Sequence, residues 1–204
     1  MSSDRTLGSY LDAVASAAPA PGGGSVVGVV GALSAALGQM VLNLTQTPEG
    51  ADALRHRDLL AALQTCQAQL MASAAGDEAA YQGYRDAAAL PRGTVSEKTV
   101  RKAAMQAALV TATDVPLAAA EQAARLAALL TEVAEVGNRH LASDTALGAL
   151  LAEATLRGAL LNVRGNAALL RDPALAQRYR AAADRLETVG RRAAATALEI
   201  ASMT

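Results

Sequence analysis

The residue best placed to do chemistry is an acid set in an apolar row. Leu59, Leu63, Cys66, Leu70 and Ala74, then Tyr81, Tyr84 and Ala88, recur at three- and four-residue steps, and the position that continues the row between Ala74 and Tyr81 is Asp77. That spacing is one face of a helix, predicted over about 52–89. A carboxylate in such a row must be paired, be protonated or line a cavity, because an isolated buried charge is too costly. Desolvation raises the pKa of a group in that position and suits it to general acid–base catalysis. A salt-bridged core acid, or a turn of the row that carries Asp77 to water, is the structural alternative.

A second group of residues is suited to holding a ligand rather than reacting with it. Pro21-Gly22-Gly23-Gly24-Ser25 opens onto a segment, Val26 to Leu44, without a charged residue. Glycines let another group approach the backbone closely, and Ser25 stands where a helix N-cap belongs. The run therefore predicts a bare, amide-rich helix start able to hold an anion or a carbonyl. Gly137-Asn138 and Ser143-Asp144 flank the predicted start of the sixth helix, where a C-cap glycine and an N-cap serine account for them without a ligand. Asn162 and Asn166, one turn apart in an apolar helix, need partners if buried, and tying helices together is the commoner use. His56 and His140 have no ligand-type neighbours at metal-site spacing, and Cys66 lies in the apolar row as a small core residue. No P-loop or dinucleotide fingerprint occurs.

The elements that must position these residues are helices. Hydrophobic residues make up 52% of the 204, yet Phe and Trp are absent and Tyr numbers four. Alanine, leucine and glycine carry the apolar content, which favours closely packed helices over sheets. Breaks fall at 18–24, 47–50, 90–93, around Pro116, near 137–144 and at Asp172-Pro173. They divide the chain into about seven helices within one all-α domain spanning 1–204. Thr94 and Glu97 form a capping box, and Glu153 and Arg157 an i,i+4 ion pair. In the last helix Leu175, Tyr179, Ala182, Leu186, Val189, Ala193, Ala197 and Ile200 make the predicted buried row.

Charge and cysteine content bound the partners. A formal net charge of −1 gives no basic face for nucleic acid. One cysteine permits no internal disulfide, which fits a reducing, cytoplasmic setting, and residues 1–12 lack the apolar run of a signal peptide. The Val26–Leu44 segment has nearly the roughly 20 residues of a membrane span. Gln39 and Asn43 within it, and the lack of aromatic or basic flanks, argue against insertion. A helix without a polar face is instead predicted to be buried inside the bundle or between subunits, and a homodimer is expected in which Gly28, Gly31, Ala35 and Gly38 give close approach to the partner copy.

The ordered motifs resemble a known family. Pro21 to Ser25 before a Gly/Ala helix ending Met40-Val41-Leu42-Asn43-Leu44-Thr45, then Asp77, Tyr81, Leu90-Pro91, Glu97-Lys98 and Arg101, resemble the cyclodeaminase/cyclohydrolase family. The match resumes at Val115-Pro116-Leu117, Gly137-Asn138, Ser143-Asp144 and Gly158-Ala159 through Asn162-Val163 to Asn166. It covers residues from about 7 to 172 in order, and the ordered set is specific where each motif alone is weak. The family includes the C-terminal domain of formiminotransferase-cyclodeaminase and stand-alone methenyltetrahydrofolate cyclohydrolases.

The resemblance implies an all-helical homodimer acting on a tetrahydrofolate one-carbon derivative, with no cofactor beyond the folate itself. It implies that Asp77 is the catalytic acid and that Gly22, Gly23, Gly24, Ser25, Asn138, Ser143, Asp144 and Asn162 bind substrate. The reaction implied first is hydrolysis of 5,10-methenyltetrahydrofolate to 10-formyltetrahydrofolate. The alternative is lyase chemistry, in which 5-formiminotetrahydrofolate cyclises with loss of ammonia. A non-catalytic, ligand-binding helical dimer is the reading from another class. One departure supports the last. After Asn43-Leu44-Thr45 the family shows Gly, two basic residues and an aromatic, whereas this chain reads Gln46-Thr47-Pro48-Glu49-Gly50. Arg55 and Arg57 are the candidates to replace that basic loop.

Overall fold

The computed structural model describes residues 6–46 and 49–202. Thr47 and Pro48, central to the departure from the family's basic loop, lie outside the described residues. Among the described residues there are six α-helices and no strand: α1 (Leu7–Ala15), α2 (Gly23–Asn43), α3 (Ala51–Ala89), α4 (Val95–Val136), α5 (Ala142–Ala167) and α6 (Pro173–Ser202). A 3-10 turn, Arg139–Leu141, joins α4 to α5. The long α4 is the centre. It packs on α3, α5 and α6, while α2 lies against α3 and α5.

Seven predicted segments become six helices because α4 runs through Pro116. A proline inside a helix lacks the N–H that the carbonyl four residues back requires, and here that carbonyl belongs to Ala112. Asn166 Nδ2, from α5, donates to Ala112 O at 2.6 Å. A neighbouring helix thus replaces the missing donor, and the orphaned group's cost of roughly 1–3 kcal/mol is avoided. The capping box is present: Glu97 N–H donates to Thr94 Oγ1 at 3.1 Å and Thr94 N–H to Glu97 Oε2 at 2.8 Å. Glu153 and Arg157 pair at 3.7 Å, largely exposed on the arginine side, so the pair adds little.

Two helix faces differ from the sequence reading. On α6 the buried row is Ala176, Tyr179, Ala183, Gly190, Ala194, Ala197 and Ala201, with Val189 63% exposed. The smallest side chains face inward because Gly190 lies against Leu156 and Ala124, an approach that larger residues would prevent. On α2 the glycines serve packing within the chain rather than across an interface. A Cβ on Gly28 would meet Leu70 O at 2.5 Å and Ala74 N at 2.8 Å, Gly31 abuts Thr155 and Leu70, and Gly38 abuts Leu130 and Leu63. The outer stripe of α2 is apolar but only partly covered, with Leu33 55% exposed.

Ser34 Oγ donates to Gly148 O at 2.7 Å and ties α2 to α5. The core beneath is Leu42, Leu63, Leu70, Leu126 and Leu130, and a second layer of Leu156, Leu160, Val163 and Tyr179 joins α4, α5 and α6. Cys66 is buried with Sγ 3.7 Å from Gln122 Oε1, and burial pushes its thiol pKa up, as suits a core residue.

Glycine substitutions separate packing from propensity. Gly28→Ala forces two helix backbones apart, and overpacking at about 1–3 kcal/mol outweighs the roughly 1 kcal/mol that alanine gains in a helix. Gly83, on α3, has nothing within reach of an added Cβ, so there the propensity gain stands alone. Urea unfolding is expected to show Gly28→Ala destabilised and Gly83→Ala stabilised by about 0.5–1 kcal/mol.

Candidate active site

The chain opens α2 with a turn that has almost no side chains. Gly22 is the N-cap residue, in extended conformation and without a side-chain cap, and Val26 N–H donates to Gly22 O at 3.0 Å to close the first turn. Ser25 is therefore not the N-cap that its type suggested. It lies in the first turn, fully buried, where its hydroxyl meets Tyr10 and Glu78 instead. The opening amides of a helix have no intrahelical acceptor, and with glycine at 23 and 24 no side chain of the turn's own covers them there.

Asp77 arrives against this turn from α3. A Cβ on Gly24 would overlap the Asp77 carboxylate, so only glycine lets the two helices bring amide and acid together. Burial pushes the Asp77 carboxyl above its ordinary value, the Ser25 backbone N–H pulls it back, and the charge of Glu78 raises it again. The result is an acid that keeps its proton to higher pH than a solvated carboxylate while remaining half-buried rather than sealed.

These groups line a cavity of about 340 Å³ between α2, α3, α4 and α5. Gly22, Gly23, Gly24, Asp77 and Asn162 all reach it. The Asn162 side chain makes no hydrogen bond to the described protein atoms, so its amide group is free for a ligand. Asn166 lines the same wall but spends Nδ2 on Ala112 O. Tyr81 and Tyr84 form an aromatic side; the chain holds only four aromatic residues, so half of them stand here. The sequence reading left these two tyrosines as seam residues. Their places one and two turns beyond Asp77 on the same helix row are the signal in the sequence. Leu109 and Leu169 close the apolar part, and no local pattern announces them.

Asn138, Ser143 and Asp144 do not join this cavity within one chain. Asn138 lies at the far end of α2, about 30 Å away by the length of that 21-residue helix, and Ser143 and Asp144 follow it in the first turn of α5. Asn138 is engaged structurally: its N–H donates to Thr45 Oγ1 at 2.9 Å, its Nδ2 to Leu44 O at 3.1 Å, and its Oδ1 accepts from His140 N–H at 3.0 Å. Gly137 before it leaves no room for a Cβ beside Val133 O at 2.6 Å and Val41 Cγ1 at 2.7 Å. Ser143 is not an N-cap either, since α5 starts at Ala142 after Leu141. Arg55 belongs to this distal end, engaged with Glu132 at 3.5 Å and Glu135 at 3.2 Å, and Arg57 pairs with Asp58. Neither arginine can reach the Asp77 cavity of its own chain.

The contact between Gly24 and Asp77 makes a direct prediction. Gly24→Ala displaces the carboxylate from the Ser25 amide without touching the hydrophobic core. Circular dichroism should report a folded protein, and a bound ligand's affinity for the cavity should fall by at least about 10-fold, the equivalent of one lost hydrogen bond to a charged group.

Comparison with known proteins agrees with this architecture. A family model described as formiminotransferase-cyclodeaminase matches residues 6–185. The methenyltetrahydrofolate cyclohydrolase of Methylorubrum extorquens is 39% identical over 182 residues, covering 87% of this chain and 86% of that protein. The formimidoyltransferase-cyclodeaminase of Gallus gallus is 35% identical over 79% of this chain, which spans 30% of its length. The crystal structure of formiminotetrahydrofolate cyclodeaminase from Thermotoga maritima superposes with a TM-score of 0.86 at 27% identity, covering 98% of this chain and 97% of that one. With the family model matching residues 6–185 and a 39% identical relative covered over most of both chains, the chain belongs to the formiminotransferase-cyclodeaminase family.

Proposed function

We propose that this protein hydrolyses 5,10-methenyltetrahydrofolate to 10-formyltetrahydrofolate. The observation that carries the reading is the desolvated Asp77 held against the side-chain-free first turn of α2. The carbon bridging N5 and N10 is electrophilic because its ring bears a positive charge. Asp77, as the carboxylate, takes a proton from water as its oxygen bonds to that carbon. The tetrahedral intermediate then breaks its bond to N5, and Asp77 returns the proton to N5. The second proton of the water leaves to solvent as the formyl group forms on N10. A raised carboxyl pKa brings the acid nearer the operating pH, where one group can serve as base and then acid. The amides of Gly23 and Gly24 and the free Asn162 amide would hold the carbonyl and ring nitrogens of the bicyclic head group, with Tyr81 and Tyr84 against its face. No cofactor beyond the folate enters this scheme.

The cyclodeaminase reaction is the second reading, favoured by the likeness to the Thermotoga maritima enzyme. There N10 attacks the carbon of the protonated formimino group, and Asp77 takes the N10 proton and passes it to the departing nitrogen, which leaves as ammonia as the methenyl cation forms. Both reactions share a tetrahedral carbon between N5 and N10, so one proton-transfer group serves either. The cyclohydrolase relative is 39% identical to this chain and the cyclodeaminase structure 27%, which puts hydrolysis first.

The reading extends to assembly. We take the working form to be a cytoplasmic homodimer that binds neither nucleic acid nor membrane, although three helices are long and apolar enough to cross one. α2 and α5, which pack on each other, expose Leu33, Leu147, Leu150 and Leu161, large apolar side chains of the kind found at interfaces. A two-fold axis near Leu33, midway along α2, would set the partner's far end beside each glycine turn. Asn138, Ser143 and Asp144 would then serve the site of the other copy, Asp144 pairing with the amino-amidine edge of the pterin.

Two experiments test this function. Asp77→Asn should lower turnover of methenyltetrahydrofolate, measured against spontaneous hydrolysis, by about 10²–10⁴-fold. It should also unfold at higher urea near neutral pH. In the wild type the folded acid holds its proton to higher pH than the unfolded one, so its stabilising contribution is present at low pH and lost as pH rises through the folded pKa. Normal turnover in folded Asp77→Asn removes the acid from the mechanism. For assembly, co-expression of Asp77→Asn with Asp144→Ala should restore activity that neither variant has alone, because the mixed dimer regains one intact site. No restoration, or an active wild-type monomer on sedimentation, contradicts the shared site.

A further inference from the structure

α1 is nine residues long and buries a single side chain, Tyr10. The Tyr10 hydroxyl lies 3.1 Å from Ser25 Oγ, and Ser25 Oγ donates to Glu78 Oε1 at 3.2 Å. A serine hydroxyl has one proton to give. With that proton committed to Glu78, Tyr10 must be the donor to Ser25, so the chain of bonds runs from Tyr10 through Ser25 to Glu78. Ser25 is fully buried, and its backbone N–H faces Asp77. One residue of the α2 opening turn is thus held by two neighbouring carboxylates, its amide by Asp77 and its hydroxyl by Glu78.

Adjacent residues on a helix point in different directions. Asp77 faces the cavity and Glu78 does not line it; Glu78 reaches Ser25 from behind the cavity wall. We infer that Glu78 is a positioning residue for Asp77: through the buried Ser25 hydroxyl, itself latched by Tyr10 of α1, it fixes the glycine turn against the Asp77 carboxylate and places a second negative charge behind it. The inference deepens the reading of Asp77 as the proton-transfer group and rests on it for its catalytic consequence.

The surroundings make Glu78 the charge that matters. Besides it, the titratable side chains about Asp77 are Tyr81 and Tyr84 of α3 and, through Ser25, Tyr10 of α1. The whole of α2 is uncharged, and α4 and α5 present only Leu109, Ala112, Asn162 and Asn166. Among the described residues no cation stands on the cavity wall to cancel the negative charge. A like charge disfavours ionisation of its neighbour, so Glu78 keeps Asp77 protonated to higher pH than burial alone, in line with the upward shift of that group.

The experiment is a pH titration of the Asp77 side-chain carboxyl by carbon-13 NMR, in wild type, Glu78→Gln, Glu78→Asp and Tyr10→Phe, alongside kcat and KM. In Glu78→Gln the Asp77 midpoint should fall, and the limb of the kcat profile that reports Asp77 should move with it while KM stays put. Glu78→Asp should restore the midpoint toward wild type. Tyr10→Phe should lower kcat, by less than the roughly 10²-fold minimum for loss of the acid itself, with a smaller midpoint change than Glu78→Gln. An unchanged Asp77 midpoint in folded Glu78→Gln overturns the inference. A moved midpoint in a protein without folate turnover leaves the positioning role standing and overturns the proposed function instead. Should Glu78→Gln fail to fold, Ser25→Ala decides: a lowered kcat at constant KM upholds the chain of bonds, and an unchanged kcat overturns it.

Discussion

Everything in this molecule turns on one close approach, a carboxylate brought against the opening amides of an apolar helix. The approach requires three things at once. The first turn of α2 must have no side chains, which Gly22, Gly23 and Gly24 provide. Asp77 must lie on the inward face of α3, where water is scarce. Its desolvated charge must be met by something other than a cation, and the Ser25 amide is that group. A lysine or arginine there would hold the acid permanently ionised. A helix amide stabilises the anion enough to form it and leaves it basic enough to take a proton.

The packing follows from the same demand. Bringing α2 and α3 within reach of this contact requires small residues along their seam, and Gly28 against Leu70 and Ala74 continues what Gly24 against Asp77 begins. On the opposite wall, α4 must pass Ala112 close to the cavity without interruption. Pro116 frees the Ala112 carbonyl, and Asn166 of α5 takes it up at 2.6 Å, so a backbone irregularity becomes a fixed bond between the two helices that line the site. The alanine-rich composition is thus a geometric requirement, since bulkier side chains would hold the helices too far apart for these bonds to form.

Much of this was legible in the residues. Asp77 stood out because an acid broke an apolar period, and burial of that period is what raises its pKa. The glycine run predicted a bare helix start, and Thr94 with Glu97 predicted a cap that is present to the atom. What could not be read is what depends on distant parts of the chain. Ser25 looks like an N-cap because serine usually is one; only the arrival of Tyr10 and Glu78 makes its hydroxyl more useful inside. Pro116 looks like a helix end because no local pattern tells that Asn166, fifty residues on, will replace the lost donor. The α2 glycines read as an interface between copies, yet Leu63, Leu70 and Leu130 of the same chain fill them. On α6 the predicted row faces the core in part, with Tyr179 and Ala197 buried and Leu175, Leu186 and Ala193 packed on the core, while Val189 turns outward because Gly190 decides which side comes closest.

The distal motif keeps its meaning only through assembly. Asn138 lies a helix length from Asp77, Ser143 and Asp144 follow it in α5 outside the cavity, and a second copy would have to bring them to it. The most direct measurement of the whole account is a crystal structure of the Asp77→Asn protein with 5,10-methenyltetrahydrofolate bound. The account predicts the bridging carbon over the substituted side chain, at a distance spanned by one water, with the head group on the Gly23 and Gly24 amides and beside Asn162. A ligand seated elsewhere, as in the groove lined by Asp114 and Tyr179 between α4 and α6, or one with its bridging carbon turned away from position 77, would contradict it.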